Sequence, residues 1–165
     1  MAMPNFLIIG AAKSGTTALY HSLKQHPQIY MSPVKEPRFF AFEGETPRFC
    51  GPGDDRFVRK FVTNFEDYLR LFEAVTDQIA IGEASTVYLT MSETSSRRIR
   101  HHLPHAKLIA VLRHPADRAY SQYQVRFSSG LEKLRHLPGY SRNVIMHGCI
   151  HRKAMLIPKT GERIE

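Results

Sequence analysis

The stretch Asn5-Phe6-Leu7-Ile8-Ile9-Gly10-Ala11-Ala12-Lys13-Ser14-Gly15-Thr16-Thr17 restricts this chain more than any other. An apolar, partly β-branched run that ends at a glycine reads as a buried strand. A short turn of small residues follows, with one lysine and two threonines. Beyond it, Ala18-Leu19-Tyr20-His21-Ser22-Leu23 carries apolar residues at helical spacing. A strand, a glycine turn and a helix N-terminus together form an anion site, because unpaired backbone N–H groups, the helix dipole, hydroxyls and an ammonium converge there. The turn is not a Walker A loop. GxxxxGK[ST] puts its lysine after the second glycine, whereas here Lys13 precedes Gly15 and Thr16 follows it. An ordinary strand-to-helix turn is the plain alternative.

A chain of 165 residues fits one domain with a real core. Its formal charge of +8 points to an anionic partner. The basic residues are scattered, and the local cluster Arg97-Arg98-Ile99-Arg100-His101-His102 reads as the solvated face of a helix. His101, His102 and His105 are read as surface residues beside that helix. Cys50 and Cys149 form neither metal-ligand spacing nor a disulfide framework, so free thiols are expected. The apolar stretch 6–12 is too short for a secretory signal, and nothing approaches a membrane span. A cytoplasmic location is the resulting expectation.

Along the chain, strand and helix occupy Asn5 to Gln25, and Gln28-Ile29-Tyr30-Met31 reads as a second strand. In Val34-Lys35-Glu36-Pro37-Arg38-Phe39-Phe40 the phenylalanines are expected to anchor to the core while the charges face a cleft; a plain surface loop is the alternative. Thr46 to Asp55, rich in Gly, Pro and Asp, should be irregular. Asn64 caps a helix that places Phe65, Leu69 and Phe72 on one face. Ile79 to Glu83 reads as a buried strand feeding a Ser/Thr-bearing turn, 84–88. Ser92 is the expected cap of the basic helix ending near Leu103. Lys107 to Arg113 is the clearest parallel-type strand after the first, and Pro115 opens a helix running towards Gly130. Strands alternating with helices indicate an α/β domain with a mainly parallel sheet flanked by helices. Ligands in such sheets sit at the carboxyl ends of the strands, where Lys13, Glu36, the Glu83 turn and Arg113 would be delivered. The nucleotide-binding core is expected to be 1–130, with a divergent or incomplete segment 131–165.

Ser121 lies eight residues after Arg113, on the following helix, so both could meet one phosphate. A second anion site implies a ligand with two separated phosphates. Lys13-Ser14-Gly15-Thr16-Thr17 and Arg113-His114-Pro115-Ala116-Asp117-Arg118-Ala119-Tyr120-Ser121-Gln122-Tyr123 resemble the two nucleotide signatures of the sulfotransferase family, whose domain has a P-loop NTPase-like fold. Members use 3′-phosphoadenosine 5′-phosphosulfate (PAPS) as sulfuryl donor and release 3′,5′-adenosine bisphosphate (PAP). Glu36-Pro37-Arg38-Phe39-Phe40 is similar to a segment of the heparan sulfate and carbohydrate branch, where the matching glutamate is a catalytic base.

The resemblance implies that Lys13 meets the 5′-phosphosulfate and offsets charge on the leaving oxygen. Ser14, Gly15, Thr16 and Thr17 would hold the 5′-phosphate, and Arg113 with Ser121 the 3′-phosphate. Glu36 would take the proton of an attacking hydroxyl or amine, with a carbohydrate among the acceptors the resemblance implies. No metal enters this scheme, and no nucleic acid is expected as partner. Where some glycan-modifying relatives carry a K-T-P turn, this chain reads Glu83-Ala84-Ser85-Thr86. The resemblance fades after about residue 130, and Gly148 and Arg152-Lys153 do not define the basic loop that closes over the nucleotide in relatives. Two other readings stay open: a PAP- or PAPS-binding remnant without turnover, and a P-loop kinase or NTPase, against which the place of Lys13 argues. Acceptor identity and oligomeric state are not written in the sequence.

Overall fold

The computed structural model describes residues 2–47 and 61–128. Cys50, Cys149, Gly148, Arg152, Lys153, most of the 46–55 loop and the whole 131–165 segment lie outside the described residues. Four strands, β1 (Phe6–Gly10), β2 (Ile29–Met31), β3 (Ala80–Ala84) and β4 (Lys107–Ala110), form one parallel sheet in the order β2-β3-β1-β4. The helices are α1 (Thr16–Lys24), α2 (Phe39–Phe42), α3 (Phe65–Arg70), α4 (Val87–Thr90), α5 (Ser92–His102) and α6 (Pro115–Ser128). This is the α/β architecture with a parallel sheet and flanking helices that the alternating pattern predicts.

The order decides where a ligand can sit. From β1 the chain crosses to β2 and returns through β3 on one side, then reaches β4 on the other. The carboxyl ends of β1 and β4 are therefore neighbours, at the edge where parallel α/β sheets bind ligands. Pairing continues past the strands, with Ala11 N donating to Val111 O (2.8 Å) and Val111 N to Gly10 O (2.7 Å). The Lys13 turn and the Arg113 turn thus leave the sheet side by side.

The central strand is buried as its apolar run predicts; Leu7 and Ile8 are fully enclosed. One core cluster joins Leu7 to Phe39, Phe40, Tyr68, Phe72 and Tyr88. Phe39 stacks on Tyr68 at a centroid distance of 4.5 Å. The phenylalanines after Glu36 do anchor their segment, and they do so as the short helix α2, which no helical period announces. Four residues make one turn, too short for a period to show. On α3, Asn64 caps as expected, its Oδ1 accepting from Glu66 N (2.8 Å) and Asp67 N (3.3 Å). The buried face is centred on Tyr68 and Phe72, however, while Phe65 and Leu69 are half-buried.

Three further expectations are corrected. Ser92 is the first residue of α5 rather than its cap; Met91 holds the cap position without a side-chain bond. His102 is not a surface residue: its Nε2 lies 2.6 Å from Glu43 Oε1, and its ring stacks on Phe65. With Arg98, four residues earlier and bonded to Glu45 (3.0 Å), it turns one side of the basic helix inward. Finally, β4 is shorter than its apolar run and lies at the sheet edge. Leu108 is 51% exposed and Leu112, past the strand end, 76%. A parallel strand is enclosed by neighbours on both sides, and among the described residues β4 has only β1.

Candidate active site

The turn between β1 and α1 has the anatomy of an anion cradle. Gly15 occupies the N-cap of α1 at φ 96°, a left-handed conformation that glycine adopts without strain. It therefore brings no side chain to cap the helix. The amides of Gly15, Thr16, Thr17 and Ala18 have no backbone acceptor among the described residues. Ser14 Oγ is buried and without a hydrogen-bond partner. Lys13, half-buried at φ 65°, makes no ion pair among the described residues. Buried polar groups are normally satisfied, so Ser14 Oγ stands out as an orphan, and the solvent-facing amides of Gly15, Thr17 and Ala18 beside it are open to an acceptor from outside the chain. At the base of the turn Gly10 has φ 151°, and a Cβ there would stand 2.9 Å from Leu89 Cβ; only glycine lets α4 lie this close over β1.

The segment after β2 is built the opposite way. Glu36 donates its N–H to Ala84 O (2.9 Å), which ties it to the end of β3. Its carboxylate accepts from Thr86 N (3.1 Å) and Thr86 Oγ1 (3.0 Å), and pairs with Lys35 Nζ (3.3 Å) and Arg38 Nε (3.5 Å). The side chain keeps 19% of its surface open to solvent, so it remains approachable. Glu36 (φ 63°) and Arg38 (φ 61°) are left-handed, as is Lys13; among the described residues these are the three non-glycine residues with positive φ. Such conformations cost roughly 1–3 kcal/mol each and gather at functional positions. Here the fold has fixed strained backbone on both sides of one sheet edge.

Below Glu36 lies a second carboxylate. Glu83, fully buried at the carboxyl end of β3, accepts from Tyr88 Oη (2.6 Å) and Ser85 Oγ (2.9 Å). Burial pushes its carboxyl up to about 7; the Tyr88 and Ser85 hydroxyls work in the opposite direction, and the Glu36 charge adds to the rise. Burial likewise raises the Tyr88 and Tyr68 hydroxyls well above the usual phenol value, with Glu83 reinforcing it.

Arg113 is exposed in the turn between β4 and α6, and His114 O accepts from Arg118 N (3.0 Å) as that helix begins. Ser121 is half-buried on the second turn of α6. Neither side chain is engaged in a hydrogen bond or ion pair among the described residues, and no bond joins the two. No bond links Glu36 to Lys13 either. The structure thus brings the predicted residues to one edge as two separate groups, the Lys13–Thr17 cradle beside Arg113 and the clamped Glu36. Sequence reasoning passed over Thr86, the residue that holds Glu36. Its signal was the pair of hydroxyls directly after a buried strand with a carboxylate in its last two residues.

The sulfotransferase family profile matches residues 4–152. The chain belongs to the sulfotransferase family. Among solved structures, a sulfotransferase from Alicyclobacillus acidocaldarius superposes with a TM-score of 0.74 at 41% identity, over 81% of this chain and 54% of that one. Among curated proteins, the bovine bifunctional heparan sulfate N-deacetylase/N-sulfotransferase 2 is 39% identical over 129 residues, 78% of this chain and 13% of its own length. The membrane-associated sulfotransferase kil1 of Dictyostelium discoideum is 36% identical over 123 residues, 74% of this chain and 23% of its own. Mouse carbohydrate sulfotransferase 15 is 31% identical over 156 residues, 73% of this chain and 27% of its own. The sulfotransferase chain therefore spans about half of the bacterial structure and roughly a quarter or less of these curated relatives. Among its described residues no helix is long and apolar enough to cross a membrane, and no group of three or more His, Cys, Asp or Glu could hold a metal.

Proposed function

We propose that this chain binds PAPS and transfers its sulfuryl group to a hydroxyl or amine, with a carbohydrate as the acceptor class. The observation that carries the reading is the cradle of unspent donors, Lys13 to Ala18, at the same sheet edge as a fixed carboxylate. The donor set fits a phosphate-bearing group: an orphaned buried hydroxyl on Ser14, free first-turn amides on α1 and an unpaired ammonium. Family membership and relatives named for heparan sulfate and carbohydrate sulfation support the donor and acceptor classes.

In this scheme Ser14, Gly15, Thr16 and Thr17 receive the 5′-phosphate through backbone N–H and hydroxyl groups. Lys13 stabilises the negative charge that grows on the bridging oxygen as its bond to sulfur breaks. Arg113 and Ser121 take the 3′-phosphate from the neighbouring β4–α6 turn and helix. Glu36 accepts the proton that the acceptor oxygen or nitrogen sheds as its bond to sulfur forms. Thr86 and Arg38 keep the Glu36 carboxylate aimed while it waits. Charge stabilisation and positioning supply most of the rate.

The test is transfer of label from sulfur-labelled PAPS to N-desulfated heparin. Wild-type protein should transfer, and Glu36→Gln should lose at least about a hundredfold in kcat while keeping its affinity for PAP. Glu36→Gln turning over at the wild-type rate would contradict the role of Glu36. Binding of PAP with no transfer to any amine or hydroxyl acceptor would favour the non-catalytic reading.

A further inference from the structure

Glu83 sits beneath the edge, touches no solvent, and is not a member of either ligand group. Each of its two oxygens receives a hydroxyl proton, and each of those hydroxyls receives a backbone N–H from the segment carrying Glu36. Arg38 N donates to Ser85 Oγ (3.0 Å), which donates to Glu83 Oε2 (2.9 Å). Phe40 N donates to Tyr88 Oη (3.4 Å), which donates to Glu83 Oε1 (2.6 Å). A hydroxyl has one proton to give. Because Glu83 takes that proton from both Ser85 and Tyr88, both must turn lone pairs towards the two amides. An ionised carboxylate, which only accepts, can set both hydroxyls this way at once.

We propose that Glu83 is a positioning residue that fixes the Glu36 segment through these two parallel relays. The same turn completes the clamp: Ala84 O takes Glu36 N–H, and Thr86 holds the Glu36 carboxylate. Two left-handed residues, Glu36 and Arg38, are kept in place between these bonds. The function of the device rests on the reading of Glu36 as proton acceptor; its geometry does not. Protonation places a donor on one Glu83 oxygen and makes that oxygen a weaker acceptor, so one relay weakens when it takes up a proton. The groups facing Glu83 are the Tyr88 hydroxyl on α4, Ser85 in the β3–α4 turn, Tyr68 on α3 and the Glu36 carboxylate beyond the turn. Its carboxyl, pushed by burial up to about 7, puts this change near neutral pH.

Amide hydrogen exchange tests the relays without any substrate. In wild-type protein, protection at Arg38 or Phe40 should fall about tenfold, after correction for intrinsic rates, as pH is lowered through 7. Glu83→Gln, an amide that cannot accept at both atoms, should lower protection about tenfold at all pH values and abolish the step, with PAP affinity within about twofold. Ser85→Ala should expose the Arg38 amide and leave Phe40 protected, and Tyr88→Phe should do the reverse. Unchanged exchange at Arg38 in Ser85→Ala, or at Phe40 in Tyr88→Phe, would overturn the proposal, even were Glu83→Gln to fail to fold. In a transfer assay, Glu83→Gln should lower kcat with the KM for PAPS unchanged and lose the pH limb near 7. Exchange as expected together with undiminished transfer in Glu36→Gln would leave the relays standing and remove the proton-acceptor reading alone.

Discussion

The two halves of the sheet edge handle their polar groups in opposite ways. The cradle after β1 leaves Ser14 Oγ, the first amides of α1 and Lys13 unspent. The clamp between Glu36 and Glu83 spends most of its groups: two carboxylates, three hydroxyls and three backbone N–H groups are bonded to one another, with the Tyr68 hydroxyl beside Glu83 left over. Unspent donors are costly to bury and belong where a ligand completes them. A saturated network instead rigidifies what it holds. One half is built to receive and the other to stay still. On the function proposed above, this division lets an anionic donor come and go while Glu36 keeps its place.

The contrast can be broken most sharply at Lys13. Lys13→Ala should lower sulfuryl transfer by about a hundredfold to a thousandfold, the scale of losing one charge-stabilising group at a leaving oxygen. The measurement is kcat with labelled PAPS; stability towards denaturant should stay at the wild-type level, because Lys13 holds nothing in place. At Glu83 the expected effect is on stability. Its folded value of about 7 lies above the 4.5 of an ordinary glutamate. Between those values the folded chain keeps a proton that the unfolded chain has lost, so stability falls as pH rises from 4.5 to about 7 and is flat above. The loss amounts to about 3 kcal/mol. Glu83→Gln should remove that slope from urea unfolding curves recorded between pH 5 and 8, and a slope surviving in the variant would assign it to other groups.

Two serines sharpen the comparison at smaller scale. Ser85→Ala should destabilise by about 1–3 kcal/mol, since it strands the Arg38 amide and half of Glu83. Ser14→Ala should leave stability within about 1 kcal/mol, or raise it, because the hydroxyl is already without a partner. Its effect should appear as a several-fold loss of PAP affinity. Equal losses of stability in the two variants would erase the distinction between the halves.

The cradle was legible in the sequence because its information is local. A strand, Gly15 and the hydroxyls of one helix N-terminus are consecutive, and backbone geometry does the rest. The parallel sheet was legible for the same reason, each strand announcing itself by its apolar run. The clamp was not. Thr86 reaches Glu36 across fifty positions, and Ser85 reaches Arg38 across forty-seven. No spacing encodes such pairs; only the pairing of β2 with β3 brings them together. His102 misled for a related reason. On a basic helix it reads as solvated, yet Glu43 from the α2 end turns it inward. The apolar run of β4 likewise encodes a strand but not its place at the edge, which the order of the sheet alone decides.

The most direct test of the central claim is calorimetric titration of PAP into the wild-type chain, Lys13→Ala and Arg113→Ala. The wild type should show one saturable site. Both variants should weaken it by about tenfold or more, the loss of a charge-assisted contact to phosphate. Binding that ignores both substitutions, or a preference for ATP with magnesium over PAP, would contradict that claim.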